Sequence, residues 1–159
     1  MSVVVGALVA TLVLAVVRPR VRSSTELSRA LRTLHEGMLN QQTGLRAWLS
    51  TGDERFLASV ALGRRQVETQ NDRLVDLLQG DAKVDRDVLD LRLDEEAWLE
   101  GWAEGAALAD PDQLDAVALG ALLAEDERLF AAYRRTQVDL NASFSARRDQ
   151  ALDQERASL

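Results

Sequence analysis

The sequence predicts an all-α protein: an N-terminal transmembrane helix followed by an up-down-up-down four-helix bundle. Three observations predict it. The first 17 residues carry no charge, the rest falls into four segments whose seam positions mostly recur at alternating spacings of four and three, and the breaks between segments are short and marked by Gly or Pro. The composition agrees, with 47% hydrophobic residues but only 4% aromatic, and Ala and Leu foremost. That is the profile of long helices with small contact residues. Beyond residue 21 no alternating apolar strand appears.

Residues 1–22 read as a membrane anchor with its basic flank, and residues 23–159 as the bundle. Val3 to Val17 contains Gly6 and Thr11 but no charge, and Arg18, Pro19, Arg20 and Arg22 close the run. A spanning helix needs about 20 apolar residues, with roughly 17 as the lower limit. A signal-like segment and a buried helix are the alternatives, although a signal peptide would show a basic start and a small-residue cleavage site. Taken alone, Arg18, Arg20 and Arg22 place the body in the cytoplasm by the positive-inside rule.

The first bundle helix starts near Ser23 or Ser24, where a hydroxyl caps free amides. Its seam is Leu27, Leu31, Leu34, Met38, Gln41, Leu45 and Trp48, and it stops at Ser50-Thr51-Gly52-Asp53. Gly52 suits a left-handed helix stop and Asp53 the cap of the next helix, giving an antiparallel hairpin. The second seam runs through Phe56, Val60, Gly63, Val67, Gln70, Leu74 and Leu77 and breaks at Gly80-Asp81. The third, from about Val84, uses Val88, Leu91, Glu95, Trp98, Trp102 and Gly105 and ends before Pro111. The fourth begins near Asp112, pauses at Gly120, and continues through Leu122, Leu129, Ala132, Thr136, Leu140 and Phe144.

Gln41, Gln70 and Glu95 are the polar residues in these seams. They fix register, or form a polar layer that Arg46 joins by pairing with Glu95. His35 reads as a boundary residue beside Leu34. Trp48, Trp98 and Trp102 read first as core, with a ligand slot between helices as the alternative. The net charge is −7 and all but one of the 19 positive charges are Arg interleaved with acids, so nucleic acid is not an expected partner. No Cys is present, and one His leaves no thiolate or His-rich metal site. With no phosphate loop, nucleophile elbow or His-acid constellation, no catalytic residue, cofactor or metal is expected. Asp94-Glu95-Glu96 does not make an acid pair, because adjacent helical residues point in different directions.

Gln41 to Leu57 reads QQTGLRAWLSTGDERFL. This segment resembles the signature of the CHASE-type extracellular sensory domains, third subtype. Thr43, Gly44, Arg46, Leu49, Thr51, Gly52, Asp53, Phe56 and Leu57 match it. Gln42 replaces an acid, Ala47-Trp48 replaces Gly-Tyr, and Ser50 replaces Leu. Asp126 and Arg128 fit the first half of the family's later pattern, an acid two before an Arg; its second half is not met in Arg135 to Arg148.

The resemblance implies a non-catalytic input domain of the kind that feeds bacterial sensor histidine kinases and nucleotide cyclases. It implies a body outside the cell membrane, between two spans; separately, a coiled-coil bundle can pair with itself as a homodimer or with partner helices. The second span and output domain would then lie beyond Leu159. Long domains translocate largely regardless of flanking charge, so the arginine flank does not forbid that orientation. The competing reading is a stand-alone membrane-tethered interaction or regulatory protein. Neither reading specifies a ligand.

Overall fold

The computed structural model describes residues 2–78 and 82–157, with side chains from Ser24 onward except Glu155. Five helices follow in order: α1 (Ser2–Thr51), α2 (Arg55–Leu77), α3 (Ala82–Trp98), α4 (Glu104–Leu108) and α5 (Ala116–Ala157). A π turn, Leu99–Ala103, joins α3 to α4 without a break, and a 3-10 turn, Pro111–Gln113, precedes α5. α3, the π turn and α4 together form the third rod, so the chain folds as four antiparallel rods with no strand among the described residues.

α1 is a single helix of 50 residues, about 75 Å long at 1.5 Å per residue. The side chains of the apolar run at 1–17 and the break at Gly80-Asp81 lie outside the described residues. Among the residues that are described, no helix is long and apolar enough to cross a membrane.

The seam on α1 buries Leu27, Leu31, Leu34, Met38, Gln41 and Leu45, and then Leu49 rather than Trp48, which is half-buried. On α2, Gly63, Val67 and Leu74 are buried. Phe56, expected in that seam, is 38% exposed on the first turn of α2, and Gln70 is half-buried. On α3 the expected Val84, Val88, Leu91, Glu95, Trp98 and Trp102 are all buried. Beyond Trp102 the expectation fails by one residue: Gly105 is exposed while Ala103 and Ala106 are buried. The π turn is the cause, because its wider loop inserts one residue and rotates everything after it.

α5 departs further from expectation. Its buried positions include Asp126, Phe130, Tyr133, Leu140 and Phe144, whereas Leu129, Ala132 and Thr136 are half-buried. The predicted seam was one residue early up to Thr136 and in register afterwards. The helix also starts at Ala116 and runs through Gly120 without a pause.

α1 and α2 pack most closely of all the pairs, and glycines allow it. A Cβ on Gly63 would stand 2.5 Å from the Gly37 carbonyl oxygen, and one on Gly37 would stand 2.9 Å from the Gly63 carbonyl oxygen. One turn of hairpin further on, a Cβ on Gly44 would meet Ser59 Oγ at 2.6 Å and the Phe56 carbonyl oxygen at 2.9 Å. The hairpin closes at Gly52, whose φ of 67° is left-handed. Its N–H donates to the Trp48 carbonyl at 2.8 Å, and Asp53 Oδ1 accepts from the Arg55 N–H at 3.0 Å to start α2. The other sides of the bundle are formed by α1 against α5 and α3 against α5. α2 and α3 keep their backbones farther apart, and Asn71 on α2 donates to Glu95 on α3 across that side.

Gly63→Ala is expected to destabilise the bundle by about 1–3 kcal/mol, because the methyl meets backbone that cannot yield without parting the helices. Gly120→Ala is the control: its Cβ would meet nothing within 4 Å. There, relief of glycine's backbone entropy gains about 0.5–1 kcal/mol. Urea midpoints shifting in opposite directions would bear this out, and equal shifts would refute the close approach.

Candidate functional site

Two acids sit inside the bundle. Asp126 on α5 is fully buried and Glu95 on α3 is 3% exposed. Burying a carboxylate costs several kcal/mol unless donors replace its water.

Asp126 is satisfied from two other rods. Trp98 Nε1 on α3 donates to Oδ1 at 2.8 Å. Gln42 Nε2 on α1 donates to both oxygens, at 3.0 and 3.1 Å. Arg46 Nε, one turn further along α1, forms an ion pair with Oδ2. The Arg46 side chain is 39% exposed, and its Nη2 also reaches Glu127 at 3.1 Å. The expected Arg46–Glu95 pair is therefore corrected: the partner is an acid on α5.

An aromatic ladder leads away from this point. Trp98 lies 5.5 Å from Trp102 and 5.4 Å, edge to face, from Phe130. Phe130 is 5.2 Å from Tyr133, which stacks on His35 at 5.8 Å and meets His35 Nδ1 through its hydroxyl at 3.2 Å. Burial, and secondarily Arg134, hold the His35 pKa below its ordinary value. Burial pushes the Tyr133 phenol up, with the nearby Glu95 adding to the shift.

Glu95 is less well served. Asn71 Nδ2 on α2 donates to its Oε2 at 2.7 Å, while Glu95 Oε1 and Asn71 Oδ1 are buried with no hydrogen-bond partner. Burial pushes the Glu95 pKa up to about 7, against the pull of Asn71 and Arg92. The two side chains line a cleft of about 310 Å³ between α2 and the third rod. The neighbours of Glu95 diverge: Asp94 accepts from Thr136 on α5, and Glu96 lines the cleft.

The signature residues cluster at the α1–α2 hairpin. Thr51 Oγ1 caps the end of α1 by donating to the Ala47 carbonyl at 2.7 Å and accepts from the Asp53 N–H at 3.2 Å. Leu49 is core and Leu57 packs against it. Gly44 meets the start of α2, and Thr43 and Phe56 face outward. Arg46 is the one that reaches across the bundle. Gln41 and Glu95 are buried, Gln70 is not, and Gln41 touches Gly63 rather than Glu95. Among the described residues no group of acids and His converges on a metal position. The residues that sequence reasoning missed are Gln42 and Asn71. The one signal for the Asp126 cluster was the acid of the later family pattern.

Arg46→Ala leaves a buried carboxylate without its counter-charge. It should destabilise by about 1–3 kcal/mol, below the 3–5 kcal/mol of a fully buried pair because the guanidinium is part exposed. Arg55, paired only with Asp53 on the surface, serves as comparison, and Arg55→Ala should melt near wild type. Identical melting temperatures for the two variants would remove the special role of Arg46.

Glu95 also sets a pH dependence. Unfolded, it loses its proton near the ordinary value of 4.5; folded, near 7. Between those values the native state holds the extra proton, so this group's contribution to stability falls as pH rises through the window. Glu95→Gln should therefore melt above wild type at about pH 8 and close to it at about pH 5. A gap that does not narrow toward acid would show that Glu95 does not titrate in the fold.

The CHASE3 domain family model matches residues 18–157. No curated protein and no solved structure matches the chain. The match takes in all four rods, the hairpin signature and both buried acids, and the chain belongs to the CHASE3 domain family, sensory input domains of signal-transduction receptors.

Proposed function

We propose that this chain is the membrane-anchored, extracytoplasmic input domain of a bacterial signal-transduction receptor. It is non-catalytic, with its second span and output domain beyond Leu159. The observation that carries the reading is the family match over 18–157, on a chain whose first rod begins at Ser2 and enters the bundle as one helix. An uncharged run of 17 residues precedes Arg18, enough to hold a helix in a bilayer. In that setting the bundle works as a homodimer or against partner helices. Leu62, Leu89 and Leu93, each more than half exposed, favour such an assembly. If the chain instead ends near Leu159, the same surface supports a stand-alone membrane-tethered interaction protein.

An antibody to residues 60–150 should detect, in the membrane fraction of the native cells, a product well above 17.5 kDa. A band near 17.5 kDa would replace the receptor reading with the stand-alone one. Orientation is read separately. The sequence has no Cys, so E68C places a single thiol on the exposed face of α2. A membrane-impermeant maleimide should label it in intact spheroplasts; labelling only after lysis would put the body in the cytoplasm.

A further inference from the structure

Glu95 and Asn71 are joined by one hydrogen bond, and each is left one short. Asn71 Nδ2 on α2 donates to Glu95 Oε2 on α3 at 2.7 Å. Glu95 Oε1 and Asn71 Oδ1 are buried, and neither has a donor among the described residues. The two orphaned atoms thus belong to groups that already touch. An ionised carboxylate and an amide oxygen only accept, so with Glu95 charged neither atom can serve the other. A buried acceptor without a donor is a standing cost to the fold.

One proton removes both defects. A protonated carboxyl carries an O–H donor beside an acceptor oxygen, as a primary amide carries N–H beside oxygen. A planar acid and a planar amide already joined by one bond close a second when the acid O–H is donated to the amide oxygen. The terminal torsions of Glu and Asn are broad, so turning the two end groups brings that second bond within reach while the helices stay where they are. The same proton discharges a side chain that is 3% exposed.

The surroundings favour its uptake near neutrality. Burial pushes the Glu95 pKa up to about 7. On its own rod Arg92 pulls the other way, while Glu96, Glu100 and Glu104 line the adjoining cleft with like charge. From α2 comes Asn71, which is uncharged. On α5 Tyr133 stays neutral, its phenol pushed up by burial and by Glu95, and its hydroxyl meets His35 of α1.

We propose that Glu95 and Asn71 form a proton-operated clasp between α2 and the third rod: a proton taken from water onto Glu95 Oε1 is donated to Asn71 Oδ1, closing a two-bond acid–amide pair that loss of the proton reduces to one bond. The link between these rods is then firmer in acid than in base. Glu95→Gln fixes the clasp shut, because the Gln amide offers the same donor and acceptor at every pH. That the clasp reports pH to a receptor rests on the sensory reading above; the clasp itself does not.

The test is infrared difference spectroscopy on the whole chain in neutral detergent micelles, titrated from about pH 5 to about pH 9. The chain carries isotope-labelled asparagine, and the Asn71 carbonyl band is assigned by its loss in Asn71→Leu. A carboxylic-acid band should disappear with a midpoint near 7, be missing in Glu95→Gln and be kept in Glu96→Gln, an exposed neighbour. As that band appears on acidification, the Asn71 carbonyl should shift to lower frequency with the same midpoint, since its oxygen gains a hydrogen bond. In Glu95→Gln it should sit at the lower frequency throughout. An acid band that titrates while the Asn71 carbonyl stays still would overturn the proposal, leaving a buried acid without a clasp. So would the absence of any acid band, which needs only the wild-type chain. Neither result touches the sensory assignment, which does not rest on a titration.

Discussion

The carboxylate of Asp126 is the constraint to which the bundle is built. A fully buried charge is tolerated only where donors converge on it, and here they come from α1 and α3 onto an acid of α5. Sliding α5 by one residue along either neighbour would strand the carboxylate and leave the indole N–H of Trp98 without its acceptor. Apolar side chains do not discriminate in this way, because Leu against Leu packs nearly as well one turn along. Asp126 thus supplies specificity of register, the best-attested use of buried polar groups. Arg46 has the second function of carrying charge to the surface, where its outer nitrogen meets Glu127.

The sides of the bundle are held by different physics. α1 and α2 meet backbone to backbone at Gly37 and Gly63, a contact without slack. α3 and α5 are joined by aromatic rings around Trp98, Phe130 and Tyr133, which slide and tilt more readily than backbone. Between these pairs stand the Asp126 contacts and the stack of His35 on Tyr133. On the α2 side of the third rod, Asn71 donates to Glu95. The bundle therefore consists of two pairs, α1 with α2 and α5 with the third rod, whose backbones approach most closely along the α1–α5 side. Sensor bundles transmit small shifts between packed helices rather than large rearrangements.

How much of this was legible in the sequence depends on the helix. The α1 seam was clear because Leu27, Leu31, Leu34, Met38 and Leu45 stand out from polar neighbours. On α5 the run Leu129-Phe130-Ala131-Ala132-Tyr133 is apolar at every step, so periodicity could not choose between adjacent registers. The residue that settles the choice, Asp126, is an acid, which a hydrophobic seam passes over. The same blindness produced the wrong partner for Arg46: Glu95 was a polar residue in a seam, whereas Asp126 was known only as part of a distant family pattern. The shift from Gly105 to Ala106 rests on a π turn, and no residue type announces one. The glycines were visible, and Gly63 was correctly placed in a seam. That it meets Gly37 follows only from the pairing of the two helices.

The long first helix connects this architecture to the proposed setting. α1 enters the bundle from the apolar run with no turn or glycine hinge between, Pro19 being the one interruption to its hydrogen-bond ladder. α5 returns antiparallel for 42 residues, so both termini leave the bundle at the end opposite the Gly52 turn. A shift of α1 with α2 relative to α5 with the third rod would be carried to that end of the bundle. Were α1 joined to the run by a flexible linker, that displacement would be lost before reaching a membrane. The continuous helix and the buried carboxylate of Asp126 thus serve the same end: one keeps α1 stiff along its length, the other keeps its register against α5.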